Sequence, residues 1–191
     1  AIVIRPNMAK YQAVGYELRD LMSEVTPLVE PISIDEAYLD LEHLLTQESE
    51  SPAFALIHLA KRLEKELGIT ASIGLGPNKF LAKLASDLDK PRGFSLIGSN
   101  EARSFLAPMS ATKIWGVGPA LTRRLAEAGI NKIGQLQTRG EEELVTRFGS
   151  IGRRLARFSI GEDARSVGTR SIRKSVSAET TFEHDLAAFF E

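Results

Sequence analysis

The chain has 191 residues, 43% of them hydrophobic and 26% charged, with a formal net charge of −1, the composition of an ordinary soluble globular protein with one large domain or two small ones. It contains no cysteine, which excludes disulfides, a thiolate zinc site and a cysteine nucleophile and agrees with a cytoplasmic location. No apolar stretch is long enough to cross a membrane, no repeat recurs at a solenoid period, and Ala1 to Ile4, followed at once by Arg5 and Pro6, does not read as a secretory leader.

Residues 8–25 read as a helix, because Tyr11, Val14, Leu18, Leu21 and Met22 recur near a 3.6-residue period and Pro27 ends the run. Next, Pro31 to Leu41 places two adjacent acids, Asp35 and Glu36, inside an apolar strand-forming segment. In a regular strand neighbouring side chains face opposite ways, so the acids reach one site only from a turn. This predicts a strand over 32–34, an antiparallel return over 37–41, and both acids at the tip. Asp-Glu is a poor two-residue hairpin turn, and such a breach of local preference points to function. Taken alone, the pair also reads as two solvated acids on a surface turn. As ligands, the two carboxylates suit Mg²⁺, which fills its other positions with water and phosphate oxygens.

A second helix, driven by Phe54, Ile57, Leu59 and Leu63, runs to Gly68, a residue suited to end it. A strand over 69–74 leads to Asn78, placed to cap a third helix. There Phe80, Leu81, Leu84 and Leu88 make the apolar face, Lys79 and Lys83 point elsewhere, and Pro91-Arg92-Gly93 closes the element. This order of elements is an α+β layer sandwich with an antiparallel component. Beyond about Leu96 the strand signal vanishes, and short helices over 101–106, 120–128, 141–148 and 152–159 alternate with glycine turns, which sets a domain boundary there. Residues 171–181 read as an extended connector and 185–190 as the start of another helix.

Charge is unevenly spread. Residues 108–174 hold thirteen Lys/Arg and six Asp/Glu, a balance of +7, whereas residues 1–107 hold eleven and fifteen, a balance of −4. A basic module between acidic segments is the footprint of a phosphate-backbone binder. Within it, Ile114-Trp115-Gly116-Val117-Gly118-Pro119 and the helix after it have the form of a helix-hairpin-helix. Gly116 and Gly118 leave backbone N–H groups free at a helix N-terminus to hold DNA phosphate, and Arg123 and Arg124, one turn in, add charge. Trp115 reads as core, and Gly149-Ser150-Ile151-Gly152-Arg153-Arg154 as a poorer second copy. Lys90 stands at a helix end, where it could meet a nucleotide's phosphates as a point charge or be a plain surface lysine. His43, His58 and His184 show no ligand spacing.

The motifs Pro31 to Asp40, Thr70-Ala71-Ser72-Ile73-Gly74, Pro77 to Asp87 with Lys90-Pro91, and Trp115-Gly116-Val117-Gly118 occur in the order seen in Y-family DNA polymerases, and the chain most resembles their bacterial polymerase IV branch; Arg173-Lys174-Ser175 extends the match. The resemblance implies a partial palm over 1–96 (an antiparallel sheet with helices), a small all-α helix-hairpin-helix thumb over 97–170, and a linker over 171–191 towards a little-finger domain. It also implies low-fidelity, template-directed translesion synthesis from dNTPs on primer-template DNA, with two Mg²⁺ ions that Mn²⁺ can replace. Asp35 and Glu36 would be metal-binding catalytic carboxylates, Lys90 a triphosphate contact, Ser33 a neighbour of the primer terminus, and Gly116, Gly118, Arg123 and Arg124 duplex contacts. A sliding clamp would engage parts of the parent protein outside this chain. The family's first metal-binding aspartate, its fingers and its little finger have no counterpart here, so the chain reads as an internal fragment, inactive alone. The alternative from another class is a non-catalytic DNA-binding or scaffold protein of DNA repair on a degenerate polymerase core.

Overall fold

The computed structural model describes residues 2–46, 51–168, 175–180 and 182. Helix α1 spans Met8–Val25, as its periodicity predicts, and begins where the Asn7 side chain accepts a hydrogen bond from the Lys10 N–H at 3.0 Å. It buries Gly15, Leu18 and Leu21, whereas Tyr11, expected on the same face, is exposed. Thr26 then turns to an extended conformation and ends the helix before Pro27.

Strands β1 (Val29–Pro31) and β2 (Ala37–Leu39) pair antiparallel, Glu30 opposite Tyr38. The first strand thus lies one strand-length earlier than 32–34, and residues 32–36 form a loop. A short helix α2 (Glu42–Leu45) follows. Helix α3 (Pro52–Arg62) starts with Ser51 as cap and Pro52 in the first turn, where its missing N–H costs nothing. It continues as a π-turn over Leu63–Leu67 and stops at Gly68, whose φ of 67° is the left-handed cap predicted for it. Ala55, Leu56, Leu59 and Leu63 carry the buried face, while Phe54 is exposed.

Strand β3 (Ile73–Leu75) runs parallel to β4 (Phe94–Leu96), with α4 (Lys79–Ser86) as the crossover. The second strand pair is therefore parallel, which an antiparallel palm sheet did not anticipate. Asn78 caps α4 by accepting from the Leu81 N–H at 3.0 Å, as expected. Gly74 permits β3 and α4 to touch: a Cβ there would stand 2.0 Å from the Ala82 carbonyl oxygen and 2.3 Å from the Ser86 nitrogen.

Helices α5 (Ser99–Leu106), α6 (Pro119–Glu127), α7 (Ile133–Gln137), α8 (Glu141–Phe148) and α9 (Ser150–Ser159) complete the described chain. Two apolar clusters result among the described residues. One joins Leu18, Leu21, Leu41, Leu56, Leu59 and Leu63. The other joins Leu106, Ile114, Leu125, Ile133, Leu136, Leu144, Leu155 and Phe158 to Phe80, Leu81 and Leu84 of α4. Phe80 stacks on Phe158 with ring centroids 4.5 Å apart. Each such side chain contributes about 1.5–3 kcal/mol on full burial, so α4, which packs on β3 and β4, is also tied to the helices that follow. Leu88, assigned to that face, lies beyond the helix end and is exposed.

Candidate active site

The loop that carries the two acids is closed by the backbone and by one hydroxyl. The Ile32 N–H donates to the Glu36 carbonyl oxygen at 2.8 Å. Ser33 Oγ accepts from the Glu36 N–H at 3.1 Å and donates to Asp35 Oδ1 at 2.6 Å. A serine side chain thus makes the turn that Asp-Glu alone makes poorly. Helix α1 supports it from behind: a Cβ on Gly15 would lie 2.7 Å from the Ile34 carbonyl oxygen, and Arg19 donates to the Ser33 carbonyl oxygen at 3.3 Å. Asp35 is exposed and Glu36 half-buried.

Two lysines of α4, off its apolar face as expected, point to this hairpin. Lys79 is only 7% exposed and pairs with Glu30, its ammonium 5.3 Å from the centre of the Tyr38 ring. Burial pushes the Glu30 carboxyl up, but Lys79 and the Gly168 N–H more than offset this and hold it below the usual range. Lys83 pairs with Glu36 at 2.8 Å and lies 3.4 Å from Asp87. Burial alone pulls its ammonium pKa down, yet the two carboxylates leave it above the ordinary lysine value. Lys90 is half-exposed and pairs with Asp87 at 2.6 Å. Asp35, Glu36, Lys83 and Lys90 all line one cleft of about 1230 Å³. The structure thus brings together the predicted carboxylates and the predicted phosphate lysine.

Residues 161–168 strap the halves together. Gly161 accepts from Asn78 Nδ2 at 2.8 Å, Asp163 accepts from the Phe80 N–H at 3.1 Å, and the Gly168 N–H donates to Glu30 at 2.6 Å. The Asp163 side chain, 2% exposed, also holds the Arg165 guanidinium at 2.7 Å. Burial raises the Asp163 carboxyl, and Arg165 with the Phe80 N–H brings it below the usual range.

In the predicted helix-hairpin-helix, Gly116 has φ 90° and Gly118 precedes α6, which opens with Pro119. The N–H groups of Gly116 and Gly118 have no acceptor among the described residues. Arg123 and Arg124 are exposed, and Arg124 lies 5.6 Å from the Phe148 ring centre. Trp115 is not core: it is 47% exposed, with the guanidiniums of Arg165 and Arg154 at 5.2 and 5.8 Å from its ring. Its ring face is engaged at the surface by these two cations. In the suggested second copy, Gly149 makes the turn between α8 and α9, but its carbonyl takes the Gly152 N–H at 2.8 Å, and a Cβ on Gly152 would stand 2.1 Å from the Leu144 carbonyl oxygen. That segment packs α9 closely on α8 through Gly152, while the Ser150 and Ile151 N–H groups at the start of α9 have no acceptor among the described residues.

Sequence reasoning assigned no role to Glu30, Lys83, Asp87, Asp163 or Arg165. The Lys83, Asp87 and Lys90 spacing of four and three was a usable signal; the partnership of Glu30 with Lys79 and Gly168 left none. The connector motif at Arg173 and Lys174, His184 and the 185–190 helix lie outside the described residues.

The donor set around Asp35 is all oxygen: two carboxylates and a hydroxyl, with the Lys83 ammonium already beside Glu36. That chemistry fits a hard divalent cation. Among the described residues no third His, Cys, Asp or Glu joins them.

Residues 1–87 match the family model described as "IMS: impB/mucB/samB family". The chain is 54% identical over 188 residues to "DNA polymerase IV" of Brucella melitensis, covering 98% of this chain and 42% of that one. It is 46% identical to "DNA polymerase IV" of Caulobacter vibrioides, with 97% and 46% covered. Among solved structures it resembles a "Y-family DNA polymerase chimera Dbh-Dpo4(243-245)-Dbh" with a TM-score of 0.81 at 28% identity, over 90% of this chain and 50% of that one. It also resembles an "Insertion ternary complex of Dbh DNA polymerase", with a TM-score of 0.79 over 87% and 49%. The chain spans about half the length of the relatives it matches, and in sequence, fold and ordered motifs it is similar to Y-family DNA polymerases.

Proposed function

We propose that the full-length protein is a low-fidelity, template-directed DNA polymerase that copies damaged DNA, extending a primer 3′-OH with dNTPs. The observation that carries this reading is one cleft holding Asp35 and Glu36 on a closed loop, with Lys83 and Lys90 on its wall. Residues 1–96 serve as palm, 97–170 as thumb and 171–191 as linker.

Asp35 and Glu36 would hold the divalent cations, with Mg²⁺ the natural choice for carboxylate and phosphate oxygens. When bound, two such ions lower the barrier of an in-line displacement by stabilising the attacking and leaving oxygens. Ser33 fixes the Asp35 carboxylate and borders the primer terminus. Lys90 leaves Asp87 to meet the triphosphate as a point charge. Gly116 and Gly118 offer their free N–H groups, and Arg123 and Arg124 their charge, to duplex backbone without reading sequence.

The test is primer extension by the full-length protein with Mg²⁺ and four dNTPs, on intact and lesion-bearing templates. Extension that chelation abolishes is the expected result; no extension under any divalent cation sinks the proposal. The 191-residue chain alone is expected to give no robust synthesis, since among the described residues no third carboxylate joins the pair to complete a two-ion site. For the thumb role, duplex affinity of the chain should fall with salt at a log–log slope of about −0.9 per phosphate neutralised. A flat salt response would remove backbone recognition.

A further inference from the structure

Four side chains of alternating sign are linked in series, Glu36 to Lys83 at 2.8 Å, Lys83 to Asp87 at 3.4 Å, and Asp87 to Lys90 at 2.6 Å, and Glu36, Lys83 and Lys90 line the cleft. Glu36 comes from the hairpin loop, and the other three from α4 and the turn after it. The Lys83 side chain is 19% exposed, so its ammonium has little water to turn to and depends on those two carboxylates. An ammonium is a compact charge with three donors on a flexible stem, and both acceptors are already within reach. Asp35, one residue before, carries no cation in this line; its carboxylate accepts from the Ser33 hydroxyl.

We propose that Lys83 is the resident counter-cation of Glu36 and gives way to a divalent cation by moving its ammonium to Asp87. Lys83 thus positions and guards a metal carboxylate, and Asp87 is the seat it retreats to. This rests on Asp35 and Glu36 being the metal carboxylates. Two opposite effects on metal affinity follow. Without Lys83 the cation enters without having to displace an ammonium. Without the Asp87 charge the ammonium has no second seat, and the cation must compete with it for Glu36.

The test is Mn²⁺ alone, titrated into the 191-residue chain and followed by the electron paramagnetic resonance of the free ion. Lys83→Met should tighten binding by at least about fivefold, the scale of one unit-charge contact at a few ångströms in a water-like medium. Asp87→Asn should weaken it, and Lys83→Arg, which keeps the charge, should stay near wild type. A merely structural lysine gives the opposite sign, because damage to the hairpin weakens binding. Equal or weaker binding by Lys83→Met overturns the inference, as does unchanged or tighter binding by Asp87→Asn. The Asp35→Ala/Glu36→Ala double variant separates the two levels of argument. If wild type binds no Mn²⁺, or binds it no better than the double variant, the carboxylate site itself fails and the inference falls with it. If the double variant loses Mn²⁺ while Lys83→Met binds as wild type does, the inference fails alone.

Discussion

Asp35→Ala in the full-length protein is expected to cut primer extension on the order of a thousandfold, the upper range for deleting one group that stabilises transition-state charge, and to leave duplex affinity and melting temperature nearly unchanged. The expectation of an intact fold comes from the loop. Asp35 is exposed, and its carboxylate bonds to the neighbouring Ser33 hydroxyl within the same turn. The bonds that close the turn, from Ile32 N–H to the Glu36 carbonyl and from Glu36 N–H to Ser33 Oγ, survive the substitution. Asp35→Asn keeps the shape and removes only the charge, so it should fail nearly as badly. Single-turnover extension, duplex binding and thermal melting, measured side by side, check the claim. Retention of most of the activity by either variant would remove Asp35 from the chemistry.

Gly74→Val carries the largest expected effect on stability. Its Cβ would be driven into backbone atoms, 2.0 Å from the Ala82 oxygen and 2.3 Å from the Ser86 nitrogen. No side-chain rotation relieves such a clash, so β3 and α4 must separate. Overpacking of this kind costs about 3 kcal/mol or more, which for a chain of this size lowers the melting temperature by roughly 6–12 °C. Separation would also withdraw Lys83 from Glu36, since the lysine rides on α4. Thermal unfolding followed by circular dichroism tests the first effect, and an unchanged melting temperature would mean that the two elements are not in close contact.

What the sequence disclosed and what it hid divide by the range of the interaction. Asn78, Gly68 and the run from Met8 to Val25 act through neighbours within a turn, and each does what local rules predict. Asp35 and Glu36 stood out because Asp-Glu in an apolar hairpin defies those rules, and both lie on a closed turn that lines the cleft. What stayed hidden is decided across the chain. Lys79 is buried because Glu30, 49 residues earlier, neutralises it, and no spacing announces that. Strand β4 has only three residues and owes its existence to β3 beside it; α7, with five, is too short for a period to show. Trp115 lies in the open because two arginines, one on α9 and one on the strap, supply its contacts.

The hydrogen bond from the Gly168 N–H to Glu30 spans 138 residues, and this bears on how the protein is made. A ribosome adding about 5–20 residues per second delivers residue 168 roughly 7–30 seconds after residue 30. Through that interval the nascent hairpin can fold and its turn can close, but Glu30 lacks the N–H that completes its coordination and Phe80 lacks the Asp163 cap. A partly synthesised chain therefore holds Glu30 and the start of α4 without these contacts until residues 161–168 emerge, well after the hairpin they brace.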